Sequence, residues 1–94
     1  MGKVERKRER LEIIYDIIKI INDNHNSIRP TRLLRQSNLS SKSFSDYFNE
    51  LREKELIKEI YDKKGRKYIT LTDNGFKYLE KYAVIKGFVD EFNL

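Results

Sequence analysis

A chain of 94 residues has room for one domain with a thin core. It carries 20 Lys and Arg against 15 Asp and Glu, a net charge of +5, which favours a polyanionic partner. It has no Cys, which excludes disulfides, thiol catalysis and Cys-ligated zinc.

The first helix is expected from about Glu5 to Ile21. Leu11, Ile14, Ile18 and Ile21 recur at helical spacing and make one apolar stripe, and Ile13, Ile17 and Ile20 make a second on the adjacent face. Two stripes predict a helix covered from two sides. The apolar run Leu11 to Ile21 is interrupted by Glu12, Asp16 and Lys19, so it is too short and too charged to span a bilayer. Met1 to Arg10 is basic without the apolar centre of a signal peptide, and a cytoplasmic protein with no membrane partner is expected. Asn22 to Ser27 is polar and aperiodic and reads as a loop.

The second helix is expected to begin near Pro30, whose missing N–H is no loss in a first turn. Leu33 and Leu34 face inward, while Arg32 and Arg35 face out. Ser37-Asn38-Leu39 forms a tight turn anchored by Leu39, and Ser40 is placed to cap the next helix. That third helix, about 41–53, turns Phe44, Tyr47, Phe48 and Leu51 to the core and leaves Lys42, Ser45, Asp46, Asn49 and Arg52 outside. Leu56 to Tyr61 and Lys67 to Leu71 read as two strands joined by the turn Asp62-Lys63-Lys64-Gly65-Arg66.

Thr72 caps a last helix, Asp73 to about Phe92, in which Phe76 and Leu79 are expected to close the core. Along it Tyr78, Tyr82, Ile85, Val89 and Phe92 follow heptad spacing, the pattern of a helix facing another helix. That seam fits either a homodimer, with Ile13, Ile17 and Ile20 near the interface, or packing onto the second stripe of the first helix. Gly87 weakens this helix or marks a close helix approach.

The predicted fold class is therefore mainly α with a small β-hairpin (α+β), a winged helix-turn-helix with an extended C-terminal helix. Residues 1–72 make the winged domain and 73–94 a C-terminal helix expected to serve dimerisation.

Positive charge is clustered. His25 to Ser45 holds Arg29, Arg32, Arg35 and Lys42 and no acidic residue; four of the five residues Lys63 to Lys67 are basic. Tyr68 to Leu94, by contrast, has three Lys against four carboxylates. In a helix-turn-helix the second helix enters the major groove with its early residues at base edges. Here Ser41, Lys42, Ser45, Asp46 and Asn49 take that position. Asn pairs with adenine and Lys with guanine, whereas Asp46 would accept from cytosine, repel phosphate or orient a neighbouring cation. Arg32, Arg35, Lys63, Lys64 and Arg66 suit phosphate contacts, with the wing 62–67 on the backbone and Arg66 reaching the minor groove. Arg6, Lys7, Arg8 and Arg10 are further candidates for phosphate.

The order of several segments resembles the small archaeal winged helix-turn-helix proteins related to the ten-kilodalton chromatin-type DNA-binding dimers. The resemblance is carried by Arg10-Leu11-Glu12-Ile13-Ile14, by Thr31-Arg32 with Asn38-Leu39-Ser40, by Tyr47 to Lys54 before Leu56-Ile57, and by Leu71-Thr72-Asp73-Asn74-Gly75. It implies a winged fold, a homodimer on the last helix, and binding of double-stranded DNA as a regulator or an architectural protein. Two departures stand out. Glu55 occupies a position where such proteins often have Gly to end the recognition helix, and the last helix is short for the long coiled coil of the chromatin-type members.

No enzyme is expected, since no nucleophile and base are placed together. His25, the one His, sits in an Asn-rich loop without partner ligands, so no metal and no cofactor are expected. The alternative reading is a winged helix used as a protein-protein interaction module without direct DNA binding, because a fold alone does not determine function.

Overall fold

The structure, a computed structural model, describes the backbone of residues 2–94 and side chains from Arg10 onward. Six elements follow in chain order: α1 (Gly2–Asp23), α2 (Pro30–Ser37), α3 (Ser41–Glu53), β1 (Ile57–Tyr61), β2 (Lys67–Leu71) and α4 (Asp73–Glu91). This is the winged helix-turn-helix arrangement expected from the sequence.

The core forms where α1 lies against the hairpin and α2. Ile14, Ile17, Ile18 and Ile21 of α1 meet Ile28, Leu33, Leu51, Ile57, Ile69 and Leu71. Six of these side chains (Ile17, Ile18, Ile21, Leu33, Leu51 and Ile69) are fully buried. Each contributes about 1.5–3 kcal/mol relative to exposure. Three expectations need correction. Ile17 is only 1% exposed, so it belongs to the core of its own chain and is not near an open interface. Leu11 stands at the edge of the stripe and is 37% exposed, because the packed part of α1 begins a turn later. Phe76 does not close the core; it is 40% exposed, whereas Leu79 packs on the cluster as expected and Tyr78 joins it.

Ile28 has no counterpart in the sequence-based elements. It pairs with Ile69 in a single antiparallel bridge, donating its N–H to the Ile69 carbonyl at 3.2 Å and accepting the Ile69 N–H at 2.8 Å. The bridge extends the two-stranded sheet by one residue and secures the loop before α2. Asn26 reinforces it, its side-chain oxygen accepting the Leu71 N–H at 2.7 Å.

The junction of α3, β1 and α4 sets the geometry of the hairpin. After Lys54, Glu55 adopts φ +57°, the Glu55 N–H donates to the Arg52 carbonyl at 3.0 Å and the Leu56 N–H to the Leu51 carbonyl at 2.9 Å. This is a Schellman ending with Glu55 in the position that usually holds glycine. The turn keeps its left-handed form despite a residue with a Cβ. Thr72 then ties α4 to the same point: its backbone N–H donates to the Leu56 carbonyl at 3.1 Å and its hydroxyl to the Glu55 carbonyl at 2.5 Å, while its Oγ1 accepts the Gly75 N–H at 3.1 Å. A Cβ on Gly75 would lie 2.2 Å from the Leu56 carbonyl oxygen, so only glycine allows this approach.

Candidate nucleic-acid interface

The two helices of the helix-turn-helix meet at Asn38, whose left-handed backbone (φ +64°) ends α2. Asn tolerates that conformation better than most residues. Ser40 caps α3 as expected, its hydroxyl accepting the Ser43 N–H at 3.2 Å. Capped in this way, α3 turns Phe44, Tyr47, Phe48 and Leu51 toward the core and exposes Ser41, Lys42, Ser45, Asp46, Asn49 and Arg52. Those exposed residues fall on one helical arc, which is polar and carries both signs of charge.

The hairpin pairs in register from Ile57↔Leu71 to Tyr61↔Lys67. Asp62 organises its tip. One carboxylate oxygen accepts the backbone N–H groups of Lys64 and Arg66, both at 2.9 Å, and the other accepts Arg66 Nε at 2.7 Å. Gly65 supplies the positive φ, +79°, and its N–H donates to the Asp62 carbonyl at 3.0 Å. The Arg66 N–H foremost, then the Arg66 side chain and the Lys64 N–H, holds the Asp62 carboxyl below its ordinary pKa. Asp62 was expected only as part of the turn, not as its organiser. Its signal was an Asp opening a tight turn two residues before an N–H that it can accept.

The basic residues sort into two groups. Arg32 and Arg35 on α2, with Lys63 and Lys64 on the tip, are exposed and have no acidic partner among the described residues. Arg29, Lys58, Lys77 and Lys81 likewise have no acidic partner among the described residues, and the remaining described cations are paired. Lys42 reaches Asp46 at 3.4 Å, so Asp46 orients a neighbouring cation, and Arg66 is held by Asp62. Arg52 lies 3.3 Å and Lys67 3.5 Å from Glu59. Arg10 pairs with Glu50, which also takes Lys54 at 2.9 Å. Arg6, Lys7 and Arg8 lie outside the residues whose side chains are described. Arg29 stacks over Tyr68 of β2, 5.5 Å from the ring centroid.

The residues expected along the α4 seam separate. Tyr78 and Tyr82 pack within the chain: the Tyr78 hydroxyl donates to the Leu11 carbonyl at 3.1 Å, and the Tyr82 ring lies 5.0 Å from that of Tyr15. Burial raises the Tyr78 phenol pKa to about 12. Val89 is half-buried. Ile85 and Phe92 are exposed, and with Val84 (71% exposed) and Phe88 (55% exposed) they form an apolar face near the end of α4. Among the described residues no helix is long and apolar enough to cross a membrane, and no group of His, Cys, Asp and Glu is placed to hold a metal.

A three-helix core, a capped helix-turn-helix and a hairpin wing define the class, and the chain belongs to the winged helix-turn-helix family, whose sequence model matches residues 7–88. Among solved structures it is similar to MepR, a transcription regulator of the Staphylococcus aureus multidrug efflux pump MepA (TM-score 0.76, 19% identity, 97% of this chain and 70% of that one). It is similar also to the PcaV transcriptional regulator of Streptomyces coelicolor (TM-score 0.73, 14% identity, 99% and 77%). A third similar structure is a winged-helix DNA-binding protein from STIV (TM-score 0.66, 21% identity, 76% and 83%). At such identities the likeness is one of fold. No curated protein matches the chain.

Proposed function

We propose that this protein binds double-stranded DNA as a dimeric transcription regulator or architectural protein, with α3 in the major groove and the wing on the phosphate backbone or minor groove. One observation carries the reading. Arg32, Arg35, Lys63 and Lys64, four of the eight cations without an acidic partner among the described residues, sit on α2 and the hairpin tip, elements that α3 packs against, while α3 itself presents a polar arc. Phosphate contacts fix register and supply affinity, and polar side chains on the inserted helix read bases. Ser41, Lys42, Ser45 and Asn49 are the proposed base-reading residues. Arg32, Arg35, Lys63 and Lys64 are the phosphate contacts, joined by Arg66 from its place beside Asp62. The likeness to MepR, also solved as a MepR-DNA complex, supports the reading. So does the likeness to the STIV protein.

In this proposal residues 1–72 bind DNA and the helix 73–94 forms the homodimer. The contact is made by Ile85, Val89 and Phe92 of the seam together with Val84 and Phe88, and Tyr78 and Tyr82 support it from the contact with α1. The exposed apolar face supports this part, since soluble monomers seldom leave such a face open. Kinship with the archaeal chromatin-type dimers belongs to the same proposal and rests on the motifs shared with them. The same apolar face favours the second reading, a protein-interaction module.

Charge reversal separates the two. The triple variant Lys63→Glu, Lys64→Glu, Arg66→Glu should fold and lose duplex binding by a factor of a hundred or more, on the order of what several lost phosphate contacts imply. Unchanged DNA affinity in a folded variant would refute the proposed interface. Sedimentation at micromolar concentration should show a dimer, and a monomer would refute the role given to α4.

A further inference from the structure

We infer that Glu59 is a positioning residue that withholds two cations, Arg52 and Lys67, from the DNA. The inference rests on the DNA-binding reading above and deepens it. Glu59 lies on β1 on the strand face that also carries Tyr61, and Lys67 is its diagonal neighbour across the sheet. One carboxylate oxygen, Oε2, faces Arg52 Nη1 at 3.3 Å from the last turn of α3 and Lys67 Nζ at 3.5 Å from the start of β2. The Glu59 side chain is only 22% exposed, half as open as either partner. Arg52 is further held by stacking over Phe48, 5.9 Å from the ring centroid.

Both cations sit on elements that would meet DNA. Arg52 follows Ser45 by seven residues and so lies on the same arc of α3, the arc that carries Asn49. Lys67 follows Arg66 directly and pairs with Tyr61 at the last rung before the wing tip. Without Glu59, two more cations would be available to phosphate from the recognition helix and the wing. With Glu59 in place, the non-specific electrostatic attraction is reduced, and a larger share of binding falls to the polar arc of α3. The carboxylate also joins helix to wing, so the two surfaces hold one relative orientation.

Counterion release gives a direct readout. Each phosphate contact adds about 0.9 to the slope of log affinity against log salt, so between 50 and 200 mM salt each added contact costs about 3.5-fold more affinity. Binding of a labelled random-sequence duplex is measured by fluorescence anisotropy across that range. The proteins compared are the wild type, Glu59→Gln, Arg52→Gln, Lys67→Gln, and the two doubles that combine Glu59→Gln with each cation variant. Melting curves run alongside. Because exposed ion pairs contribute only about 0–1 kcal/mol, all variants should fold.

The expected result is a steeper slope for Glu59→Gln, worth one to two contacts per subunit and so two to four per dimer, with a matching gain in low-salt affinity. Arg52→Gln or Lys67→Gln should leave the wild-type slope unaltered yet flatten that of Glu59→Gln. A folded Glu59→Gln with the wild-type slope would overturn the inference. So would a flattened slope in the single Arg52→Gln or Lys67→Gln protein, since those cations would then already be on phosphate; that arm stands even if Glu59→Gln does not fold. A wild type that binds no duplex would overturn the DNA-binding reading itself, a result distinct from either.

Discussion

Replacing Gly75 by alanine tests the junction that sets α3 and the hairpin relative to α4. The new Cβ would lie 2.2 Å from the Leu56 carbonyl oxygen and 3.2 Å from the Leu71 Cβ. The first contact is with backbone and cannot be relieved by a rotamer change, so α4 must move away from the α3–β1 turn. Overpacking of this kind costs about 1–3 kcal/mol. Movement also stretches the Thr72 bonds to the Leu56 and Glu55 carbonyls, each worth about 1 kcal/mol. Alanine's better helix propensity returns about 1 kcal/mol. The net loss is roughly 2–4 kcal/mol, which for a domain of this size lowers Tm by at least about 8 °C.

Gly87→Ala is the control, because its Cβ would meet nothing within 4 Å. It should stabilise by roughly 0.5–1 kcal/mol through propensity alone. Thermal unfolding followed by circular dichroism, with urea titration for the free energy, reads both variants. The reasoning is refuted if Gly75→Ala melts at or above the wild type, or if the two substitutions shift stability in the same direction.

Two further outcomes follow from local geometry. Glu55→Gly should stabilise the protein by about 1 kcal/mol in urea titration, because a left-handed backbone is costly for a residue with a Cβ; a loss of stability would show that the Glu55 side chain makes a contribution the turn geometry does not reveal. In alkaline titration followed by tyrosinate absorbance, one phenol should ionise late, near pH 12, and Tyr78→Phe should remove that step. The sign is that of a group whose neutral form is favoured in the fold: its contribution is complete below pH 10 and is lost between 10 and about 12. If the late step persists in the variant, the burial argument for Tyr78 fails.

The parts of the molecule that were legible in the sequence are those governed by local chemistry. Ser40 and Thr72 cap their helices because a hydroxyl before an apolar-periodic run has N–H groups to accept. The hairpin turn fell where Gly65 allows a positive φ. Features that depend on distant partners were not legible. Ile28 is one apolar residue between Ser27 and Arg29, and a single-residue bridge leaves no periodic trace. Phe76 matched the helical period, yet it is 40% exposed, and Tyr78 packs on the core cluster beside Leu79. The α4 heptad pattern divides: Tyr78 and Tyr82 meet α1 of the same chain, whereas Ile85 and Phe92 are exposed.

The candidate interface divides similarly. Clustering of Arg32, Arg35, Lys63 and Lys64 was visible as a run of one sign, because unpaired cations need no partner to be recognised. The ion pairs that neutralise Arg52, Lys67 and Arg66 were not. Arg52 and Glu59 are seven residues apart across a turn whose left-handed Glu55 decides where β1 begins. Charge counting alone therefore overstates the positive surface that the wing and α3 offer.

The central claim is phosphate-dominated binding of duplex DNA, and the most direct measurement is anisotropy of a labelled random-sequence duplex titrated with wild-type protein over a salt series. With six to eight phosphates contacted per dimer, affinity should fall on the order of a thousandfold or more between 50 and 200 mM salt. Absence of binding at low salt, or binding indifferent to salt, would contradict the account.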